Sequence, residues 1–261
     1  GYPADSEFAD LPAYDDIVQS AGGVPDLSRR AGQPPVLMPT LVADKSAGLV
    51  IANAIAVALF HRERTGHGSE TTIAMTEVMR SFLLVEHGAS AIPEPPLGPA
   101  GYARILTPER RPHETADGMV HVLPYDQMHY ETIFRFGGRD DLIGDSRILT
   151  RRSRMENGGA LYREVAAIML QRTTDEWMEV FRAADIPSTR VGTVDDLMVG
   201  LPIAEHPHGG SYRVTPPLVG VAATLDVVRR PAPLHGEHNR EVLAEVGYSI
   251  DEIDRFERHD V

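Results

Sequence analysis

The sequence predicts a mixed α/β protein, mostly helical with a few short strands and divided before its midpoint. Three observations carry this. Two segments, 44–65 and 76–91, repeat apolar residues at helical spacing. A block over 110–200 alternates short strand-like runs with amphipathic helices, the pattern of a compact α+β unit. Between them, residues 92–102 hold Pro93, Pro95, Pro96, Pro99, Gly98 and Gly101, which break regular structure.

Residues 1–43 are rich in Pro, Gly and Asp and read as an extended lead-in. They carry one weak helical stretch at Tyr14–Ala21 and turns at Gly22-Gly23 and Pro34-Pro35. From Asp44, Leu49, Ala52, Ile55, Ala56, Leu59 and Phe60 fall on a helical repeat, and their neighbours are small or apolar too. That composition predicts a deeply buried helix, with Asp44 and Ser46 as candidate N-caps and Thr65-Gly66 as its stop. A short strand at Thr71–Ala74 and a helix at Thr76–Ala91 follow. Beyond the break, Met119–Leu123 reads as a strand after the Ala116-Asp117-Gly118 turn. Helices are expected at Asp126–Phe136, Gly159–Gln171 and Thr174–Ala184, a strand at Ser188–Val191 and a short helix at Val194–Met198. Strand-like runs at Tyr212–Thr215 and Leu218–Val221 precede two tail helices, Glu237–Val246 and Ile250–Arg258. Ser249 and Glu252 form a capping-box pattern at the second.

Composition excludes several functions. With 25 Lys+Arg against 38 Asp+Glu the net charge is −13, which argues against a nucleic-acid binder needing a basic face. The chain has no cysteine, so disulfides, thiolate metal sites and cysteine nucleophiles are absent, in keeping with a cytoplasmic protein. The most apolar run, Ala47–Phe60, is too short for a bilayer core of roughly 30 Å, so no membrane partner is expected. Phosphate-binding glycine loops, the Gly-x-Ser-x-Gly elbow and His-Glu-x-x-His are all missing. The pairs His206/His208 and His235/His238 lack a third ligand at a diagnostic spacing, so no metal is expected.

Asp44 is the residue of greatest chemical interest. It is a carboxylate at the mouth of an apolar helix, after Met38-Pro39-Thr40-Leu41-Val42-Ala43. Either it caps the helix, or it is a reactive acid where backbone N–H groups stabilise nearby negative charge. Residue type and spacing leave both open.

Five motifs in order point further. Pro12-Ala13-Tyr14-Asp15-Asp16-Ile17-Val18-Gln19-Ser20-Ala21-Gly22-Gly23 resembles the Pro-x-Tyr-Asp-x-x-x-Gln-x-x-x-Gly stretch of family III CoA-transferases, the formyl-CoA transferase, carnitine CoA-transferase and bile-acid-inducible (CaiB/BaiF-like) group. Asp44-Lys45-Ser46-Ala47-Gly48 resembles the segment of that family's catalytic Asp. Ala58-Leu59, Arg62, Thr65-Gly66 and Gly68 match its Ala-Leu-x-x-Arg-x-x-Thr-Gly-x-Gly signature, and Thr115-Ala116-Asp117-Gly118 the start of its small domain. Leu234-His235-Gly236-Glu237-His238-Asn239 and Leu243, Gly247-Tyr248-Ser249 resemble its C-terminal motif.

The resemblance implies the family III fold and a CoA transfer between an acyl-CoA and a carboxylic acid, with coenzyme A entering as acyl-CoA substrate. Asp44 matches the nucleophile, which would pass through an acyl anhydride and an aspartyl-CoA thioester. Tyr14, Gln19, Gly48, Arg104 and Asp126 are the candidates for positions near substrate or CoA. Arg104 and Arg110-Arg111 either pair with a carboxylate or CoA phosphate or form a solvated basic stretch. Asp126 is either a helix N-terminal carboxylate or a counterpart of the racemases' small-domain acid. Racemases of the superfamily carry His where this chain has Tyr14, which favours the transferase branch over an acyl-CoA racemase or lyase. The glycine-rich loop of formyl-CoA transferase has no counterpart here, so oxalate and formate are not implied as substrates. Residues 1–91 are expected in the large domain, 92–109 as linker, 110–200 as the small α+β domain and 205–261 as the return to the large domain. The family's N-terminal Rossmann-like half, which holds most CoA contacts, is missing from this sequence. The chain therefore reads as the C-terminal part of an interlocked homodimer's subunit, or as a non-catalytic subunit completing such an oligomer.

Overall fold

The structure, a computed structural model, describes residues 1–217 and 231–258. It divides into two compact units, 1–191 and 192–261.

In the first unit, α1 (Asp15–Gly22) ends at Gly23, whose φ of +94° suits glycine, and the same residue opens α2 (Val24–Arg30). Helix α2 was not anticipated: Pro25 reads as a loop signal but sits in the first turn, where its missing N–H costs nothing. Helix α3 runs over Val42–Thr65 and stops at Gly66, φ +75°. Helix α4 spans Met75–His87, followed by a single 3₁₀ turn at Ala89–Ala91. Residues 71–74, expected as a strand, are irregular, and no strand among the described residues pairs with them. Helices α1, α3 and α4 pack on one another around Val18, Val24, Ala43 and Met79.

Two expectations for α3 fail. It was expected to be deeply buried, yet only Ala43 and Ala47 are, and Leu49, Ile55, Val57 and Phe60 are exposed. It is apolar on every side, and α1 and α4 cover only a part of it. Its apolar character also outruns Ala47–Phe60: at 24 residues, with a window of mean hydropathy 1.6, it is long and apolar enough by length and composition to cross a membrane.

The same unit holds a second core. Strands β1 (His113–Glu114), β2 (Met119–Val122) and β3 (Ser188–Arg190) form an antiparallel sheet in that order, with Val120 opposite His113 on one side and Arg190 on the other. Val120 and Val122 of β2 point inward. Helices α5 (Gln127–Phe136), α6 (Ser146–Leu149), α7 (Arg151–Glu156), α8 (Gly158–Met169) and α9 (Thr174–Ala183) complete it. Ile133, Phe134, Leu161, Val165, Ile168, Trp177 and Phe181 fill the interior. Trp177 stacks on Phe181 at 5.5 Å, and its indole N–H donates to the Met169 carbonyl at 2.9 Å. A capping box between Thr173 and Glu176 starts α9.

In the second unit, β4 (Ile203–Glu205) and β5 (Ser211–Arg213) form an antiparallel hairpin. Helices α10 (Asn239–Glu245) and α11 (Ile250–Glu257) are joined by Arg240, which pairs with Asp254 and Glu257. The Ser249–Glu252 capping box is present at α11. The expected strand at Leu218–Val221 lies outside the described residues.

Candidate active site

Asp44 occupies the first turn of α3, but neither it nor Ser46 is the cap. The helix opens at Leu41, and the missing acceptor comes from another element. Asp15 of α1, almost fully buried, accepts hydrogen bonds from the backbone N–H groups of Ala43 at 2.8 Å and Asp44 at 3.0 Å. This is N-capping in trans: two of the four orphan donors at the start of α3 are satisfied from a residue 28 positions upstream of Ala43. Burial opposes ionisation of Asp15. The bonds from Gln19, Asp44 and Ala43, together with the charge of Lys45, outweigh it and hold the carboxyl below the usual range.

Gln19, one turn along α1 and fully buried, extends the arrangement. Its Nε2 donates to Asp15 at 2.6 Å and to the carbonyls of Met38 and Thr40 at 3.3 and 3.2 Å, while its Oε1 accepts from Met38 N–H at 2.9 Å. The segment 38–41 entering α3 is thereby fixed to α1. Lys45 adds a bond from Nζ to Thr40 Oγ1 at 2.7 Å.

The consequence falls on Asp44. Its side chain is exposed and has no hydrogen-bond or ion-pair partner among the described residues. It is held in a helix's positive first turn on a backbone that its own carboxylate does not support. A carboxylate so placed is free to attack an electrophilic carbonyl. The N–H groups of Ala43 and Asp44, natural oxyanion donors from sequence, are instead engaged by Asp15.

The other candidates are dispersed. Tyr14 precedes α1 and is 79% exposed. The polar atoms of Gln19 are all used within the chain. Gly48 lies on an exposed side of α3, where an added Cβ would meet nothing within 4 Å. Arg104 is half-buried with its guanidinium 4.7 Å over the Tyr125 ring. Asp126 caps α5, accepting from His129 N–H at 2.9 Å. Among the described residues no group of three His, Asp or Glu side chains could hold a metal ion. His208 instead meets Glu237 at 2.9 Å, and His206 the Ala232 carbonyl at 2.6 Å.

Sequence reasoning missed the role of Asp15, although it lies inside the first quoted motif. The available signal was its i, i+4 relation to Gln19 on one face of α1.

Comparison with known proteins identifies the fold and the family. The chain is 26% identical over 266 residues to the "Probable fatty acyl-CoA transferase Rv3272" of Mycobacterium tuberculosis, covering 93% of this chain and 66% of that protein. It is 29% identical over 275 residues to the cinnamoyl-CoA:phenyllactate CoA-transferase of Clostridium sporogenes, covering 99% and 66%. It is 24% identical over 284 residues to the formyl-CoA:oxalate CoA-transferase of Shigella sonnei, covering 97% and 68%. The chain thus spans 66% of the length of the first two relatives. A crystal structure of Rv3272 shares the fold with a TM-score of 0.71 at 24% identity, over 92% of this chain and 66% of that one. So does a CAIB/BAIF family protein from Brucella suis, with a TM-score of 0.71 at 22% identity, over 94% and 66%. The sequence model of CoA-transferase family III matches residues 1–239, and the chain belongs to that family.

Proposed function

We propose that the whole protein moves CoA between an acyl-CoA and a carboxylic acid, with Asp44 as the covalent relay. The observation that carries this reading is the division of labour at α3: Asp15 caps the helix, and Asp44 keeps an unpartnered, exposed carboxylate in its first turn.

The chemistry runs in four balanced steps. An Asp44 oxygen attacks the thioester carbonyl of the donor, forming an acyl-aspartyl anhydride as the C–S bond breaks and CoA thiolate leaves. The thiolate attacks the Asp44 carbonyl, forming an aspartyl-CoA thioester and releasing the donor acid. An acceptor carboxylate attacks that thioester, giving a new anhydride and expelling the thiolate. The thiolate then takes the acceptor's acyl group and restores the Asp44 carboxylate. Every intermediate is already activated, so no ATP is consumed. The α1–α3 lock around Asp15 and Gln19 holds the relay on a rigid helix, as a near-attack geometry requires.

Residues 1–91 and 205–261 belong, in this reading, to a large domain and 110–200 to a small one. The exposed apolar surface of α3 is internal to the family's larger assembly, an interlocked homodimer, rather than a membrane span. The chain's match to only 66% of its first relatives' length supports that view.

The test is Asp44→Ala in the whole protein, assayed by chromatographic separation of acyl-CoA species. Transfer is expected to fall below detection, and unchanged turnover defeats the assignment. Incubation with acyl-CoA and hydroxylamine should leave a hydroxamate on Asp44, read by peptide mass spectrometry.

A further inference from the structure

A second site lies in the α+β part of the first unit. A cavity of about 610 Å³ opens between the 103–107 segment, the turn after β2 and the α7–α8 region. Three arginines line it: Arg104, Arg151 and Arg154. None has a carboxylate partner among the described residues, whereas Arg139, Arg147, Arg152, Arg163 and Arg240 are all ion-paired. The single acid in the lining, Glu156, is held by Arg152 at 2.8 Å. A chain of net charge −13 thus gathers three uncompensated guanidiniums around one cavity.

Two tyrosines give the cavity its second character. Tyr130 and Tyr162 are 3% and 5% exposed and line the same space. Neither hydroxyl has a hydrogen-bond partner among the described residues, yet neither is sealed from solvent, so both open to the cavity. Two phenol hydroxyls, unclaimed by the protein, thus face one cavity as donors available to a ligand. Burial raises the pKa of both phenols, against the opposing charges of Arg154 and Arg104 on Tyr130 and of Arg110 and Arg104 on Tyr162. Both remain protonated donors at neutral pH. Pro124, Met155 and the tyrosine rings supply apolar wall.

We propose that this cavity binds a small organic acid, its carboxylate held by Arg104, Arg154 and the Tyr130 and Tyr162 hydroxyls and its apolar body packed against Pro124 and Met155. Guanidinium forks and phenol donors match carboxylate oxygens. The volume lies in the range of small-molecule sites, and a formate-sized anion would leave most of it empty. The site does not depend on the role of Asp44, because it is defined by binding rather than turnover.

The experiment is isothermal titration calorimetry of the whole protein with 3-phenylpropanoate, its neutral amide and inorganic phosphate. The acid is expected to bind at least 10-fold more tightly than the amide. Tyr130→Phe and Tyr162→Phe should each weaken the acid about 3- to 10-fold without changing amide binding, and Arg104→Gln by 10-fold or more. The Tyr→Phe variants keep the rings, and circular dichroism and melting curves check that each variant folds. Equal binding of acid and amide overturns the proposal, as does acid binding unaffected by either Tyr→Phe change. Phosphate binding as tightly as the acid and competing with it overturns the carboxylate assignment. The same titrations on Asp44→Ala should match the parent protein, which separates this site from the transfer reaction.

Discussion

Replacing Asp15 with Ala removes the acceptor of three hydrogen bonds: from Gln19 Nε2 at 2.6 Å, Ala43 N at 2.8 Å and Asp44 N at 3.0 Å. Gln19 keeps the Met38 and Thr40 carbonyls, so its amide contributes little to the cost. The two α3 donors lose their only cap. An N-cap acceptor is worth about 1 kcal/mol, and a buried donor left unpaired costs about 1–3 kcal/mol, which gives roughly 2–3 kcal/mol for local opening of the α3 start. At 1.36 kcal/mol per decade this accelerates amide exchange at Ala43 and Asp44 about 30- to 150-fold. Asp15→Asn keeps an oxygen for the Ala43 and Asp44 amides, but its NH2 replaces the oxygen that accepts from Gln19 Nε2, so it loses that bond as well as the charge assistance and should fall between the parent and Asp15→Ala. Native-state hydrogen exchange followed by NMR reads both amides, with Val120 in the separate β-sheet core as internal reference. Transfer activity of the whole protein should fall as well, although Asp44 is intact. Exchange at Ala43 and Asp44 unchanged in Asp15→Ala, with Val120 also unchanged, refutes the capping argument.

Asp44→Ala should alter unfolding free energy by no more than about 0.5 kcal/mol in urea titrations, because the side chain is exposed and unpartnered. Ser249→Ala should cost about 1 kcal/mol at α11, read as faster exchange of the Glu252 amide. Gly137→Ala should destabilise by about 1–3 kcal/mol, since the added Cβ would stand 1.8 Å from Ile168 Cγ2 inside the core; urea unfolding followed by Trp177 fluorescence measures it. His113 is buried beside His121 and Arg111, and burial with those charges lowers its pKa from 6.5 to about 4. The unfolded chain takes up that proton before the folded one. Stability is therefore complete above pH 6.5 and lost as pH falls towards 4, by up to about 2 kcal/mol between pH 7 and 5. His113→Phe should lack this increment when unfolding is compared at the two pH values, and equal losses in both proteins would reject it.

Local features were legible wherever a side chain acts on its own neighbourhood. The Ser249–Glu252 box, the apolar repeat of α8 and the strand beside Ala116-Asp117-Gly118 all follow from residues within a few positions. Family membership was legible because its five motifs keep their order, whatever each folds into. The structure departs where distant partners decide. Thr71–Ala74 has strand-forming residues but no strand to pair with among the described residues. Asp44 has the residue type of an N-cap, and spacing alone could not reveal that Asp15 already fills that role. The exposure of α3 is the same lesson at larger scale, since a uniformly apolar helix says that it must be covered but not by what. The cavity around Tyr130 and Tyr162 joins segments some 60 residues apart in sequence, and only Arg104 among its members stood out beforehand.

The separation of Asp15 from Asp44 has an evolutionary corollary. In many helix-start sites one side chain both shapes the backbone and performs the chemistry, so altering the reaction endangers the fold. In the proposed mechanism, position 44 can be exchanged for another nucleophile, for the amide Asn or for a neutral residue while the Asp15 cap beneath it persists. Such a position is free to explore new reactions, or to fall silent in a retained subunit, without first acquiring compensating changes elsewhere.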